Sequence, residues 1–191
     1  MSYILVGCLG FMVLYLFEFV SLKGGRRRKW LVLLSGCILI GFSFAKVCLA
    51  PEKFYVPSLV LWPSWLFAVL FLLLFIYSNF VEIPFKRTYV DSGVGDELVK
   101  TGTYALTRHP GVLWMTLAMV FLVLAIRSKL LAIAGPVWAV ANLGWVWLQD
   151  RFYLERMFPR YKDYKKETPM LVPTRESIRR CLRTIGRNET H

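Results

Sequence analysis

The stretch TGTYALTRHPGVLW, residues 101–114, places Arg108 and His109 directly before Pro110 and a long apolar run. Proline suits the first turn of a helix, because its missing N–H has no partner there and its φ is already helical. Arg108 and His109 are therefore predicted to lie where a helix begins. Unpaired N–H groups and the helix dipole favour an anion at this point, and arginine can add two parallel hydrogen bonds to a carboxylate or phosphate. An arginine that extends to lipid headgroups is the alternative.

Charged and aromatic side chains are concentrated again after the last apolar run, in LQDRFYLERMFPRYKDYKKETPMLVP. Acids alternate with arginines there, and two tyrosines follow three residues apart. These residues are Asp150, Glu155, Asp163, Glu167, Arg151, Arg156, Arg160, Tyr161 and Tyr164. With Tyr104, four residues before Arg108, they predict a polar pocket that contains both signs of charge. A solvent-exposed helix of mixed charge is the alternative interpretation.

Five apolar runs position these polar segments, and 57% of the 191 residues are hydrophobic. The runs cover residues 3–22, 30–50, 59–81, 110–126 and 130–148. About 20 apolar residues cross a hydrocarbon core of roughly 30 Å. We therefore expect an all-α, polytopic membrane helical bundle with about five transmembrane helices. The last two runs are separated by only three residues, which predicts a helical hairpin.

The formal charge of +12 comes from lysines and arginines that cluster between and after the apolar runs. The strongly basic loop 23–29 is expected on the cytoplasmic side and the weakly charged loop after the second run outside. This orientation predicts a cytoplasmic C-terminal tail, with the polar segments 82–108 and 149–191 on the same side. The lipid bilayer is the expected partner, and nucleic acid is not.

The sequence divides into N-terminal transmembrane helices, 1–81, a core with the hairpin, 82–173, and a basic amphipathic tail, 174–191. Helical spacing in the tail places Ile178, Cys181, Leu182 and Ile185 on one face. The arginines lie elsewhere, so we expect this helix to anchor the tail at the membrane surface. Histidines and cysteines follow no metal-ligand spacing, and no metal is expected.

Two segments, LVKTGTYALTRHPG and E…FPRYKDYKKETPMLVP, carry a family resemblance that covers about residues 80–173. They resemble the membrane methyltransferases that include isoprenylcysteine carboxyl methyltransferase and the phospholipid N-methyltransferases. In that family a G-x-Y-x-x-x-R-H-P-x-Y motif opens a helix, and a hairpin follows. An acidic pair then precedes F-G-x-x-Y-x-x-Y and a tail that ends in proline.

The resemblance implies that S-adenosyl-L-methionine binds between the start of the RHP helix and the segment after the hairpin. The predicted orientation places this active site on the cytoplasmic side. The implied cofactor residues are Leu98, Val99, Tyr104, His109, Pro110, Gly111, Val112, Gln149 and Asp150, with Asp96 and Glu97 beside the first two. The implied methyl acceptor is a lipophilic or small molecule. Val112, Trp114 and Gln149 stand where the family has tyrosine, glycine and glutamate, so the atom that is methylated stays open.

Methyl transfer mainly requires the sulfonium methyl and the acceptor to be held in line. If the acceptor is an amine or a thiol, Asp150 or Glu155 is expected to accept its proton. A carboxylate acceptor would instead require Arg108 or Arg151 nearby. The catalytic residues are thus expected among Arg108, Asp150 and Glu155, and the substrate-binding residues are Arg151, Tyr161 and Tyr164.

Two other functions fit the same composition. Sterol reductases that use NADPH also have an RHP helix start, but their N-Y-L-G-D and C-x-x-K-Y-G-x-x-W motifs do not occur in this sequence. A non-enzymatic membrane protein, in which the charged segments only orient the helices, is the third hypothesis.

Overall fold

The structure is a computed structural model that describes residues 1–23, 26–83 and 98–185. These residues are mostly helical and contain no strand, apart from one backbone pairing between Lys53 and Ser128. The helices are α1 (Ser2–Lys23), α2 (Arg26–Cys48), α3 (Ser58–Ile76), α4 (Thr103–Leu106), α5 (Pro110–Ile126), α6 (Lys129–Leu148), α7 (Leu154–Met157), α8 (Tyr161–Glu167) and α9 (Arg175–Thr184). π-helical turns extend α3 over Tyr77–Val81 and α6 over Gln149–Tyr153.

The five long helices match the five predicted apolar runs, and α5 begins at Pro110 as predicted. α2 begins at Arg26, earlier than the predicted residue 30, because charged side chains outside the hydrocarbon core are compatible with a helical backbone.

Three helical stretches of the described residues are long and apolar enough to cross a membrane: Arg27–Cys48, Ser58–Val81 and Lys129–Arg156. Ser2–Phe17 and Pro110–Ile126 are apolar helical stretches of shorter length. The chain is therefore all-α, with at least these three helices compatible with a membrane location.

The chain forms two compact units, and unit 1 consists of residues 1–69 and 118–145. α1 packs on α2 where Gly10 faces the backbone of Gly36 and Ile40. The Trp138 Nε1–H of α6 donates to the carbonyl of Ile4 at 3.1 Å, and Tyr15 stacks on Trp145 at 4.7 Å between ring centroids.

At one end of unit 1, the connection between α2 and α3 lies beside the turn between α5 and α6. The Phe54 N–H donates to the Arg127 carbonyl at 2.9 Å, and the Lys129 N–H donates to the Glu52 carbonyl at 3.1 Å. The buried Ser128 hydroxyl donates to the Val47 carbonyl at 2.8 Å. The two connections therefore lie at the same end of the unit.

Unit 2 consists of residues 70–117 and 146–191, within which residues 84–97 and 186–191 are outside the described part. Its helix α4 packs against α9. Gly102 precedes α4 with φ of 59° and ψ of −131°, a conformation that only glycine adopts readily, and a Cβ there would overlap the Glu82 carboxylate. Glu82 accepts a hydrogen bond from the Thr103 N–H at 2.9 Å.

α9 begins with a capping box in which Thr174 and Ser177 exchange hydrogen bonds. The predicted face of this helix is only partly correct, because Cys181 is buried with Ser177. Ile178, Leu182 and Ile185 are exposed. Cys181 is buried, unlike these three residues, because the face of α9 that carries Ser177 and Cys181 packs within unit 2. Contact of the three exposed side chains with a membrane surface stays a prediction.

Candidate functional site

The start of α5 is covered by the tail segment, which we define as residues 158–173. The backbone N–H groups of Arg108 and His109 donate to the carbonyls of Pro169 and Met170, at 2.9 and 3.3 Å. The predicted position of these residues at the helix start is confirmed. The tail, rather than an external anion, accepts the hydrogen bonds of these two N–H groups.

The Arg108 guanidinium connects the residues before α5 with Asp150, which follows α6, and with the end of α8. Its Nε donates to Asp150 Oδ1 at 2.9 Å and its Nη2 to Asp150 Oδ2 at 3.2 Å, which makes a bidentate ion pair. Its Nη1 donates to the carbonyls of Thr168, at 2.7 Å, and Lys165, at 3.2 Å. Only 9% of the side chain is exposed, so Arg108 is an internal crosslink and does not extend to lipid headgroups.

Asp150 accepts hydrogen bonds from four side chains. Besides Arg108, the Tyr161 hydroxyl lies 2.6 Å from Oδ1, the Lys165 ammonium 3.0 Å from Oδ2, and His109 Nε2 3.3 Å from Oδ1. Donors surround both carboxylate oxygens, so the ionised form is well satisfied. This arrangement is unfavourable for Asp150 as a proton acceptor, one of the roles predicted for it.

The position of Asp150 depends on the π-helical turn that follows α6. A π-helical turn contains one more residue than an α-helical turn and is frequent at functional sites. The other π-helical turn, after α3, brings Asn79 against Gly111, where an added Cβ would lie 2.5 Å from Asn79 Nδ2. In the described part of unit 2, both π-helical turns thus contact the start of α5: one through Gly111, the other through Arg108 and His109.

His109 is neutral in this site. Burial lowers its pKa below the ordinary value, and the hydrogen bond to Asp150 only partly opposes this effect. Because the acceptor is a carboxylate, Nε2 carries the imidazole proton and Nδ1 is the basic nitrogen. The Asp150 contact therefore fixes both the orientation and the tautomer of the ring.

Both tyrosines predicted to bind substrate are buried, each with 1% of its surface exposed. Burial raises both pKa values well above the ordinary range of tyrosine, so the hydroxyls stay protonated. Tyr161 donates to Asp150, and Tyr164 donates to the Tyr104 carbonyl at 2.6 Å. These two hydrogen bonds hold α8 against the RHP region.

Lys165 completes the cluster and was missed by the sequence analysis. Its ammonium contacts Asp150 and lies 2.9 Å from Glu155 Oε1. Partial burial disfavours the ammonium, but the hydrogen bonds to Glu155 and Asp150 outweigh it and raise the pKa of Lys165. Its spacing of four residues from Tyr161, which places both on one face of a helix, was the available signal. We call Arg108, His109, Asp150, Tyr161 and Lys165 the Arg108–Asp150 network.

The other residues predicted to bind cofactor or substrate differ in how far they are buried. Pro110 and Val112 are buried in the first turn of α5, and Gln149 is half-buried beside Asp150. Leu98 and Val99 are half-buried, and Asp96 and Glu97 lie outside the described residues. Arg151 is exposed and packs on the rings of Trp147 and Phe152 at 5.7 and 5.9 Å, so it does not join the network.

The chemistry of the site fits part of S-adenosylmethionine. The carboxylate and ammonium of the cofactor require a cation and an anion that are open to new hydrogen bonds. Arg108 and Asp150, predicted for these tasks, neutralise each other, and Lys165 pairs with Asp150 and with one oxygen of Glu155. The adenosine and the sulfonium require apolar and aromatic side chains instead, and Leu98, Val99 and Tyr104 are half-buried residues of these types.

No family model matches this chain, and neither a curated protein nor a solved structure matches it. The methyltransferase resemblance therefore depends on the motif residues alone.

Proposed function

We propose that the protein is an integral membrane methyltransferase that uses S-adenosylmethionine and acts on a lipophilic or small acceptor. One observation carries the proposal: the two segments that resemble the family contact each other through several independent bonds. Arg108 and His109 reach Asp150, Thr168 and the tail carbonyls, and Tyr164 reaches Tyr104. Two unrelated polar segments of a membrane protein would not require this shared network.

Bound S-adenosylmethionine would supply an electrophilic methyl group on its sulfonium. We assign contact with its adenosine and sulfonium to Leu98, Val99 and Tyr104. His109 follows Tyr104 by five residues. The Arg108–Asp150 pair holds His109 and the tail segment in place. Direct contact of Arg108 or Asp150 with the cofactor stays a prediction that requires their ion pair to exchange partners.

Glu155 is the carboxylate that best suits proton transfer from an amine or thiol acceptor. Of its two carboxylate oxygens, only Oε1 has a hydrogen bond within the described residues, from Lys165, and the side chain is 31% exposed. Asp150 lacks this availability, because four side chains surround its oxygens.

We further propose five membrane crossings with the C-terminus and the site on the cytoplasmic side. The paired connections at one end of unit 1 support this arrangement, because the ends of α2 and α5 and the starts of α3 and α6 meet there. The basic residues of 23–29 and of the tail support the orientation.

Calorimetric titration of the purified protein in detergent tests the cofactor. We expect micromolar-range binding of S-adenosylmethionine and no heat with NADPH. Tyr104→Leu should weaken binding by about tenfold, because it removes an aromatic ring suited to the sulfonium but keeps the carbonyl that Tyr164 uses. Tyr55→Leu is the matched control, since Tyr55 is 86% exposed in unit 1.

Heat with NADPH alone would favour the sterol reductase hypothesis. Absence of binding by either cofactor would favour a non-enzymatic membrane protein. Equal weakening by the two tyrosine variants would contradict the proposed contribution of Tyr104.

A further inference from the structure

A groove of about 590 Å³ lies at the end of unit 1, where three helix ends meet. α1 contributes Tyr3 near its start, α2 contributes Lys46 and Leu49 near its end, and α6 contributes Lys129 and Ile133 from its first turns. The volume is within the range of ligand pockets, about 300–1,000 Å³. The groove shares no residue with the Arg108–Asp150 network.

The groove carries a positive charge that is not neutralised by ion pairs. Lys46 and Lys129 are exposed, and among the described residues no acid lies within ion-pair distance of either ammonium. Lys46 instead lies over the Phe42 ring, 5.7 Å from its centroid. Glu52 is the acid in the lining, so the lining side chains, two lysines and one glutamate, sum to a charge of +1.

Apolar surface lies directly beside these charges. Leu49 is 78% exposed and Ile133 53% exposed, and both line the groove with Tyr3. Lys46 is in the last turn of α2, one of the helices long enough to cross a membrane. If α2 crosses, the groove lies at the depth where headgroups meet acyl chains. Cationic and apolar surfaces at this depth match the two parts of a lipid.

We propose that this groove is a binding site for one anionic phospholipid. The two lysines bind the headgroup phosphate, whose negative charge is complementary to the positive charge of the groove. Leu49 and Ile133 contact the first carbons of an acyl chain. The proposal is independent of the cofactor and of any methyl transfer.

Native mass spectrometry of the purified protein tests this site, with phosphatidylglycerol and phosphatidylcholine titrated separately. We expect phosphatidylglycerol to bind in a 1:1 complex and more tightly than phosphatidylcholine. The double variant Lys46→Gln with Lys129→Gln should weaken phosphatidylglycerol binding by about 30-fold, because each basic residue near the lipid surface raises the affinity about fivefold. Both side chains are exposed, so these changes leave the fold intact.

Lys162→Gln with Lys166→Gln is the control, because it removes the same charge from exposed lysines of unit 2, outside the groove lining. This variant should bind phosphatidylglycerol nearly as well as the parent. Equal affinity of the parent for the two lipids would overturn the proposal. So would an equal loss in both double variants, because general surface charge would then account for the binding.

Discussion

At the residue scale, Asp150 determines how the site is held together. Four side chains converge on one carboxylate that is almost completely buried, with 8% of its side chain exposed. Two of them, Arg108 and His109, precede α5, and the other two, Tyr161 and Lys165, belong to α8. The loss of this carboxylate would leave the Arg108 guanidinium buried without its counter-ion, which is the costly way to break an internal ion pair.

We predict that Asp150→Ala destabilises the protein by about 3–5 kcal/mol and releases the tail segment. Thermal unfolding in detergent measures the first effect, and limited proteolysis between residues 158 and 185 measures the second. Asp163→Ala is the matched control, since Asp163 is 67% exposed and pairs with Lys166 on the surface. Such a surface pair contributes about 0–1 kcal/mol. Similar losses in both variants would contradict the central role of Asp150.

His109 provides a pH-dependent contribution to stability at the same site. Burial holds its pKa in the folded protein below the value of 6.5 expected for the free side chain. In the window below pH 6.5 the unfolded chain therefore binds more protons at this residue than the folded chain. The contribution of His109 is present above this pH and is lost as the pH falls through it.

We predict that the melting temperature falls between pH 7.5 and pH 5.5, and that His109→Gln makes this dependence weaker. The other histidine, His191, lies outside the described residues. Glu82 acts in the opposite direction, because burial raises its pKa, but it is present in both proteins. A variant that keeps the full pH dependence of the parent would show that His109 is not its source.

At the scale of elements, the hydrophobic pattern was sufficient to predict the long helices and the hairpin. Apolar runs separated by short polar stretches leave few alternatives, and Pro110 defined the start of α5. The same pattern did not predict the π-helical turns, because one extra residue in a helical turn leaves apolar periodicity almost unchanged. Their positions depend on the contacts of Asn79 and Asp150, which are tertiary.

The candidate site was predictable to a similar extent. Residue types and spacing brought Arg108, His109 and Asp150 into one cluster, which the structure confirms. The sequence did not indicate that the carbonyls of Thr168 and Pro169 would accept hydrogen bonds from Arg108, because every residue has a carbonyl and only the fold selects which are used. An arginine predicted to bind a ligand was therefore found to bind the tail of its own chain.

At the scale of the whole molecule, the number of crossings depends on α5. This helix has 17 residues, or about 25 Å of length, which is at the short limit for a hydrocarbon core of roughly 30 Å. Within unit 1, the ring centroid of Phe121 in α5 lies 5.0 Å from that of Phe67 in α3. Within unit 2, Trp114 of α5 stacks on Phe71 of α3. These contacts with a helix long enough to span support a crossing by α5 as well.

Labelling from outside intact cells with a membrane-impermeant maleimide tests the crossing by α5. One cysteine is introduced at Tyr55, 86% exposed between α2 and α3, or at Lys166, whose side chain is 78% exposed in α8. The four natural cysteines are first replaced by alanine. If α3, α5 and α6 all cross, three crossings separate the two positions, and we expect Tyr55→Cys to react while Lys166→Cys reacts only after permeabilisation.

The alternative makes a different prediction for the same pair of cysteines. If α5 does not cross, only α3 and α6 separate Tyr55 from Lys166, so both cysteines lie on one side and react together or not at all. Reaction of Lys166→Cys alone would keep the odd number of crossings but reverse the orientation, and the basic loop 23–29 would then lie outside, against the charge rule. Because the tail segment carries two of the five residues of the Arg108–Asp150 network, the side on which Lys166 reacts is also the side from which a cofactor would reach the site.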